Sequence, residues 1–169
     1  MHQYIGVDVT HLRERNDLTL NYTTIKNYEP LLCKTGVAFG LDQNETDNLV
    51  QQVYAEATRD KIEQECPGTL RIFLSKLMIN KCIFLISSKL FDQAAGGENI
   101  STSLKLYSGY KTSYIHRTPA MPLTYCTAYI LHHDIGFTEA EISKLLNITT
   151  VKVKERINKA RNLIKASKG

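Results

Sequence analysis

What this 169-residue sequence lacks removes several classes of protein at once. No apolar run approaches the roughly 20 residues that span a bilayer. The most apolar stretch, residues 81–91, is too short and is followed by charge. The opening MHQYIGVDVTHLRERND has no continuous apolar segment of the kind a secretion signal needs, so the chain reads as cytoplasmic. Cysteine is sparse: Cys33, Cys66, Cys82 and Cys126 stand alone, with no CxxC pair. That pattern suits reduced, mostly buried thiols rather than disulfides, and a zinc site would need closer pairs. There is no glycine-rich phosphate loop, no HExxH, and no hydroxyl or thiol in a recognisable catalytic signature. The expectation is a protein that binds rather than catalyses, with no metal and no cofactor.

What the sequence does contain is concentrated near its end. Residues 137–166, FTEAEISKLLNITTVKVKERINKARNLIKA, read as two helices about a tight turn. Thr138 and Glu141 have the spacing of a capping box. Ile142, Leu145 and Leu146 then share one face. Asn147 breaks the pattern and can take the left-handed conformation, Ile148 fills the corner, and Thr149 or Thr150 caps a second helix. On that helix Val153, Ile157, Ala160 and Ile164 make an apolar stripe, and Lys152, Lys154, Arg156, Lys159 and Arg161 are placed on the opposite face. From 137 to 169 there are eight Lys and Arg (144, 152, 154, 156, 159, 161, 165, 168) against three Glu (139, 141, 155), or 8 − 3 = +5, against +4 for the whole chain. Concentrated positive charge on a helix behind a turn is what a helix-turn-helix offers to the major groove. The competing reading is a solvated amphipathic helix whose Lys and Arg stems cover apolar surface.

The remainder is helical in pattern. Residues 1–24 show no sustained periodicity and count as an N-terminal extension. In 25–92, Ile25, Tyr28, Leu31, Leu32, Val37 and Phe39 fall at mixed helical spacings with Pro30 in a first turn and Gly40 at the end. Asp42 or Asn44 caps a helix with Leu49, Val50, Val53, Tyr54 and Ala57 on one face and Glu45, Asp47, Asn48, Gln51, Gln52 and Glu56 on the other. Pro67-Gly68 is a loop signal. A helix over 70–91 is apolar enough, with Phe73, Leu74, Leu77, Met78, Cys82, Ile83, Phe84, Leu85 and Ile86, to be buried nearly all round or covered by another segment. Residues 93–119 are rich in Gly, Ser and Thr, with Tyr107, Tyr110 and Tyr114 interspersed, and read as a flexible linker. Residues 120–136 form the helix before the motif, closed by Gly136; His132 and His133 are surface residues near its C-terminus. The fold class is all-α, two small helical domains joined by a linker.

The order of these pieces resembles the small bacterial sigma factors of the extracytoplasmic-function type. ETDNLVQQVYAEA at 45–57 and FLSKLMINK at 73–81 are similar to segments of the family's first domain. MPLTYCTAYILHHDIGFTEAEISKLLNITTVKVKERINKARNLIK at 121–165 resembles its terminal domain almost without gaps.

The resemblance implies a division into a domain-2-like unit at 25–92, a linker at 93–119 and a domain-4-like helix-turn-helix at 120–169. It implies docking on the clamp helices of core RNA polymerase through Glu45, Asp47, Asn48, Gln51 and Gln52. One promoter element would be taken as single-stranded DNA by the 70–91 helix, with Asn80 at the matching position. The other would be read as duplex by Thr149, Thr150, Lys152, Glu155, Arg156 and Lys159. A free monomer and an anti-sigma inhibitor as partner also follow. The sequence departs from the pattern at Phe84, where the family's melting helix carries an Asp. Residues 25–92 also hold eight Lys and Arg against nine Asp and Glu, a net of −1. The alternative function is a dimeric helix-turn-helix regulator that binds duplex DNA without polymerase.

Overall fold

The computed structural model describes residues 23–59, 67–94 and 121–167. Every element among them is helical, as an all-α chain requires. The N-terminal extension, the segment 60–66 with Cys66, and the tyrosine-bearing stretch 95–120 lie outside the described residues.

After a single helical turn at 23–26, α1 spans Glu29–Ala38 with Pro30 in its first turn. It stops where Gly40 takes a φ of 81°, and Leu41 donates its N–H to the Gly36 carbonyl at 3.1 Å. The left-handed turn sends the chain straight into α2, Gln43–Arg59. Asp42 is its cap: its Oδ1 accepts from the Glu45 N–H at 2.8 Å, and Glu45 Oε2 accepts from the Asp42 N–H at 3.1 Å. The expected stripe of Leu49, Val50, Val53, Tyr54 and Ala57 is buried throughout. Helices α1 and α2 approach closely at Gly36, where a Cβ would stand 2.6 Å from Thr46 Cγ2.

The third helix, α3, runs Pro67–Ala94. Its 28 residues make it about 42 Å long. Pro67-Gly68 therefore opens a helix instead of marking a loop. Proline at a helix start gives up an N–H that has no partner there in any case. Leu74, Met78, Cys82 and Ile86 fill the groove between α1 and α2. The helix is not buried all round, because Phe84 is 75% exposed and Asn80 is exposed beside it on the outward face. Ion pairs Lys81–Glu56 (2.7 Å) and Lys89–Glu45 staple α3 to α2. The Tyr54 hydroxyl donates to Glu29 Oε2 at 2.9 Å across α1 and α2.

The last part of the chain begins with α4, Leu123–Ile130, which continues as a π-helical turn, Leu131–Ile135, and ends at Gly136 with a φ of 89°. His132, half-buried, places Nδ1 3.1 Å from the Phe137 carbonyl, while the exposed His133 stacks on Tyr129 at 4.4 Å between centroids. Helix α5 spans Glu139–Leu146 and α6 spans Thr150–Ala166. Both pack on the α4 segment around Ala128, Leu131, Phe137, Ile142, Leu145, Val153, Ile157 and Ala160. The two helical groups touch along α3 and α5 and where α1 meets the π-helical turn, and their buried residues join in one apolar cluster. Arg71 of α3 pairs with Glu141 of α5, and its guanidinium lies 4.4 Å above the centre of the Phe137 ring.

Candidate nucleic-acid interface

The site is built from the turn outward. Thr138 begins α5 with a complete capping box: its hydroxyl oxygen accepts from the Glu141 N–H at 3.2 Å, and Glu141 Oε2 accepts from the Thr138 N–H at 2.9 Å. Burial pushes the Glu141 carboxyl up, but the Thr138 backbone and hydroxyl bonds and the Arg71 charge outweigh it and leave it below its ordinary value. At the other end Asn147 takes φ 52° and ψ 48°. That left-handed residue costs an asparagine little and turns the chain within one position. Ser143 holds the corner from both sides, since its carbonyl accepts the Ile148 N–H at 3.1 Å and its hydroxyl donates to the Ile148 carbonyl at 2.5 Å. Thr149, not Thr150, is the cap of α6, accepting the Lys152 N–H at 3.2 Å. Helix, three-residue turn and helix are thus closed by bonds between residues at most five apart.

Burial of Val153, Ile157 and Ala160 fixes how α6 is rolled about its axis. The ridge farthest from that stripe is Val151, Glu155, Asn158 and Asn162, at i, i+4, i+7 and i+11. Lys152 and Lys159 flank it on one side, Lys154 and Lys165 on the other, all exposed. Arg156 and Arg161 sit nearer the packed edge and are half-buried, so the basic face is narrower than the sequence pattern placed it. Thr149 and Thr150 are exposed at the tip. Glu155 accepts from Lys159 at 2.7 Å and Lys152 at 3.0 Å. The Lys159 bond, then the Lys152 bond, then the charges of both hold its carboxyl down at about 2. Lys159 is raised by its bonds to Glu155 and then to Tyr125, whose ring centre is 5.4 Å from Nζ. Lys154 lies 3.5 Å from Glu139 across the turn. The outward face of α6 is thus a ridge of Val151, Glu155, Asn158 and Asn162 between two exposed lysine rows.

The other sequence-derived residues fall elsewhere. Asn80 is exposed on α3. On α2, Asp47, Asn48, Gln51 and Gln52 are exposed together, with Asp47 Oδ1 accepting from Gln43 at 2.8 Å. Glu45 leaves that face, since its side chain is committed to the Asp42 N–H and to Lys89. Among the described residues no three His, Cys, Asp or Glu gather as a metal site. Burial pushes the thiols of Cys82 and Cys126 up to about 12, which leaves them inert as nucleophiles or ligands. No helix among the described residues is long and apolar enough to cross a membrane.

Against this geometry, one solved structure is similar along most of the chain. The fold resembles that of CnrH. That protein was solved in complex with the cytosolic domain of CnrY, and the TM-score is 0.58 at 16% identity, covering 84% of this chain and 82% of that one. At that identity the likeness is one of fold. No family model matches the sequence, and no curated protein matches it.

Two features of the site were missed in the sequence. Val151 stands two residues before Val153, and a helix cannot bury both on one face, so one of the two had to point out. The bond from Arg71 to Glu141 links residues 70 apart and left no local signal.

Proposed function

We propose that this chain is a sigma factor of the extracytoplasmic-function type, which binds core RNA polymerase and directs it to a promoter. The observation that carries the reading is the α5–turn–α6 unit, capped at both helix starts, with its ridge and lysine rows outward, in a chain whose fold resembles that of the sigma factor CnrH. In this reading α6 enters the major groove of the duplex promoter element. Lys152, Lys154 and Lys159 take phosphates, while Thr149, Thr150, Glu155 and Arg156 reach for base edges and the near backbone.

The 25–92 unit docks on polymerase through Asp47, Asn48, Gln51 and Gln52, with Glu45 shaping the start of α2 beneath them. Helix α3 presents Asn80 to the single-stranded element. With a net charge of −1 over 25–92, strand capture rests on contacts at Asn80 and the exposed Phe84 and little on phosphate attraction. The stretch between Ala94 and Met121 links the two units, residues 93–94 of the expected linker being the end of α3, and the chain works in the cytoplasm as a monomer when free. The complex of CnrH with the cytosolic domain of CnrY supports an inhibitory protein partner here as well.

The test is retention of the purified chain on core polymerase, followed by transcription from templates selected out of random DNA in the presence of that polymerase. Capture and initiation at one recurrent sequence are expected. No retention by core enzyme, with specific duplex binding by a dimer instead, would replace the proposal by the stand-alone regulator.

A further inference from the structure

Val151 is 75% exposed, at the second position of α6 and two residues after the Thr149 cap. Its exposure is not a failure of packing: Val153, Ile157 and Ala160 already fill the core beneath the helix, and Val151 lies on the ridge opposite them. Its neighbours explain what it is left to do. Thr149 caps the helix, Lys152 pairs with Glu155 and Lys154 with Glu139, and Val151 is the apolar side chain that stands out among these polar groups at the tip. The first turn of a groove-docked recognition helix meets base edges, and the outermost side chain there goes deepest.

A valine has no donor and no acceptor. On the floor of the major groove the one apolar group it can select is the C5-methyl of thymine. We infer that Val151 reads a thymine methyl in the duplex element bound by α6, and so fixes one base of the recognised sequence that none of the polar residues fixes. The inference rests on the reading of α6 as the recognition helix. It differs from it in naming a base, a chemical group and an apolar side chain.

The direct test removes the methyl from the DNA. With the chain in complex with core polymerase and its selected duplex, each thymine is replaced in turn by uracil, which keeps every hydrogen-bonding edge and loses only C5-methyl. Binding is then measured for the wild type and for Val151→Ala. One position is expected to weaken the wild type about three- to tenfold, the scale of one buried methyl contact. Val151→Ala is expected to lose the same factor on the thymine duplex and to be indifferent to uracil at that position, with the doubly altered complex no weaker than either single change. An exposed Val→Ala change in a helix raises helix propensity, so the variant folds, and an unchanged thermal melt verifies it. Identical uracil profiles for wild type and variant would overturn the inference while leaving duplex recognition by α6 intact. If Val151→Ala weakens capture by polymerase alone, before DNA is added, the valine is a protein contact and the inference also fails. If no duplex sequence is selected at all, the reading of α6 falls first and takes the inference with it.

Discussion

In the α5–α6 unit the bonds that set helix ends run three to five residues along the chain: Glu141 to Thr138, Ile148 to Ser143, Lys152 to Thr149. The α1–α3 unit has local bonds of the same kind, Glu45 to Asp42 and Leu41 to Gly36, and adds bonds that hold its helices together over long distances, Tyr54 to Glu29 over 25 residues and Lys89 to Glu45 over 44. The surfaces diverge in the same way. One carries +5 over 137–169 and the other −1 over 25–92. On the proposed function, the positive unit offers one helix to a polyanion and the mixed face of the other suits a protein partner.

The comparison can be broken most forcefully at the core. Ile142 is fully buried between α5 and its neighbours, and Ile142→Ala should cost about 2–5 kcal/mol, read as a drop in Tm or in the urea midpoint. Because the buried residues form one cluster across both groups, Leu74→Ala should lower the same transition; two separate transitions would show the groups melting independently.

Next comes the close approach of α1 and α2. Gly36→Ala pushes a methyl into Thr46 Cγ2 and Oγ1, and a β-branched side chain in a helix has few rotamers in which to yield. About 1–3 kcal/mol of destabilisation is expected. The double change Gly36→Ala, Thr46→Ala should recover most of it, since Thr46 Oγ1 is buried with no hydrogen-bond partner to lose. Failure to recover would place the strain elsewhere.

A smaller effect separates local from distant bonding at one residue. Thr138→Ala should cost about 1 kcal/mol through the lost cap. Glu141→Gln keeps a side chain able to complete the capping box but removes the charge that faces Arg71. The folded Glu141 carboxyl lies below its ordinary value, so the folded state binds that proton less readily than the unfolded chain. Its stabilisation is present above the unfolded carboxyl range and is lost as pH falls through the folded one. Urea midpoints of wild type and Glu141→Gln should therefore differ at pH 7 and converge on acidification. A gap that does not close with pH would assign the effect to packing.

The last prediction crosses the two surfaces and leaves folding untouched. Lys152→Ala should weaken binding to all duplexes alike and lower the slope of log affinity against log salt by about one, with polymerase capture unchanged. Asp47→Ala should do the reverse, weakening capture while sparing the salt slope. Both variants acting on the same step would dissolve the division of labour.

How much of this was legible beforehand follows from the range of each interaction. The capping box, the left-handed Asn147, the buried stripes of α2 and α6 (Ile164 alone of them half-buried) and the all-α class were readable because each depends on residues within one or two turns. Pro67 was misjudged because proline opens helices as readily as it ends them, and only the pairing of α3 with α1 and α2 decides which. The inward turn of Glu45, the half-burial of Arg156 and the exposure of Phe84 depend on which neighbour arrives beside each helix.

The amino-acid order by itself determined where the helices of the terminal unit start and stop, and that positive charge gathers there, because caps, turn conformers and periodicity act over a few residues. Only the tertiary structure decided how α6 is rolled, which residues form its outer ridge, and that Arg71 grips the start of α5. Those are outcomes of packing. Burying Val153, Ile157 and Ala160 chooses the outward face, and bringing residue 71 to residue 141 requires the fold to close first.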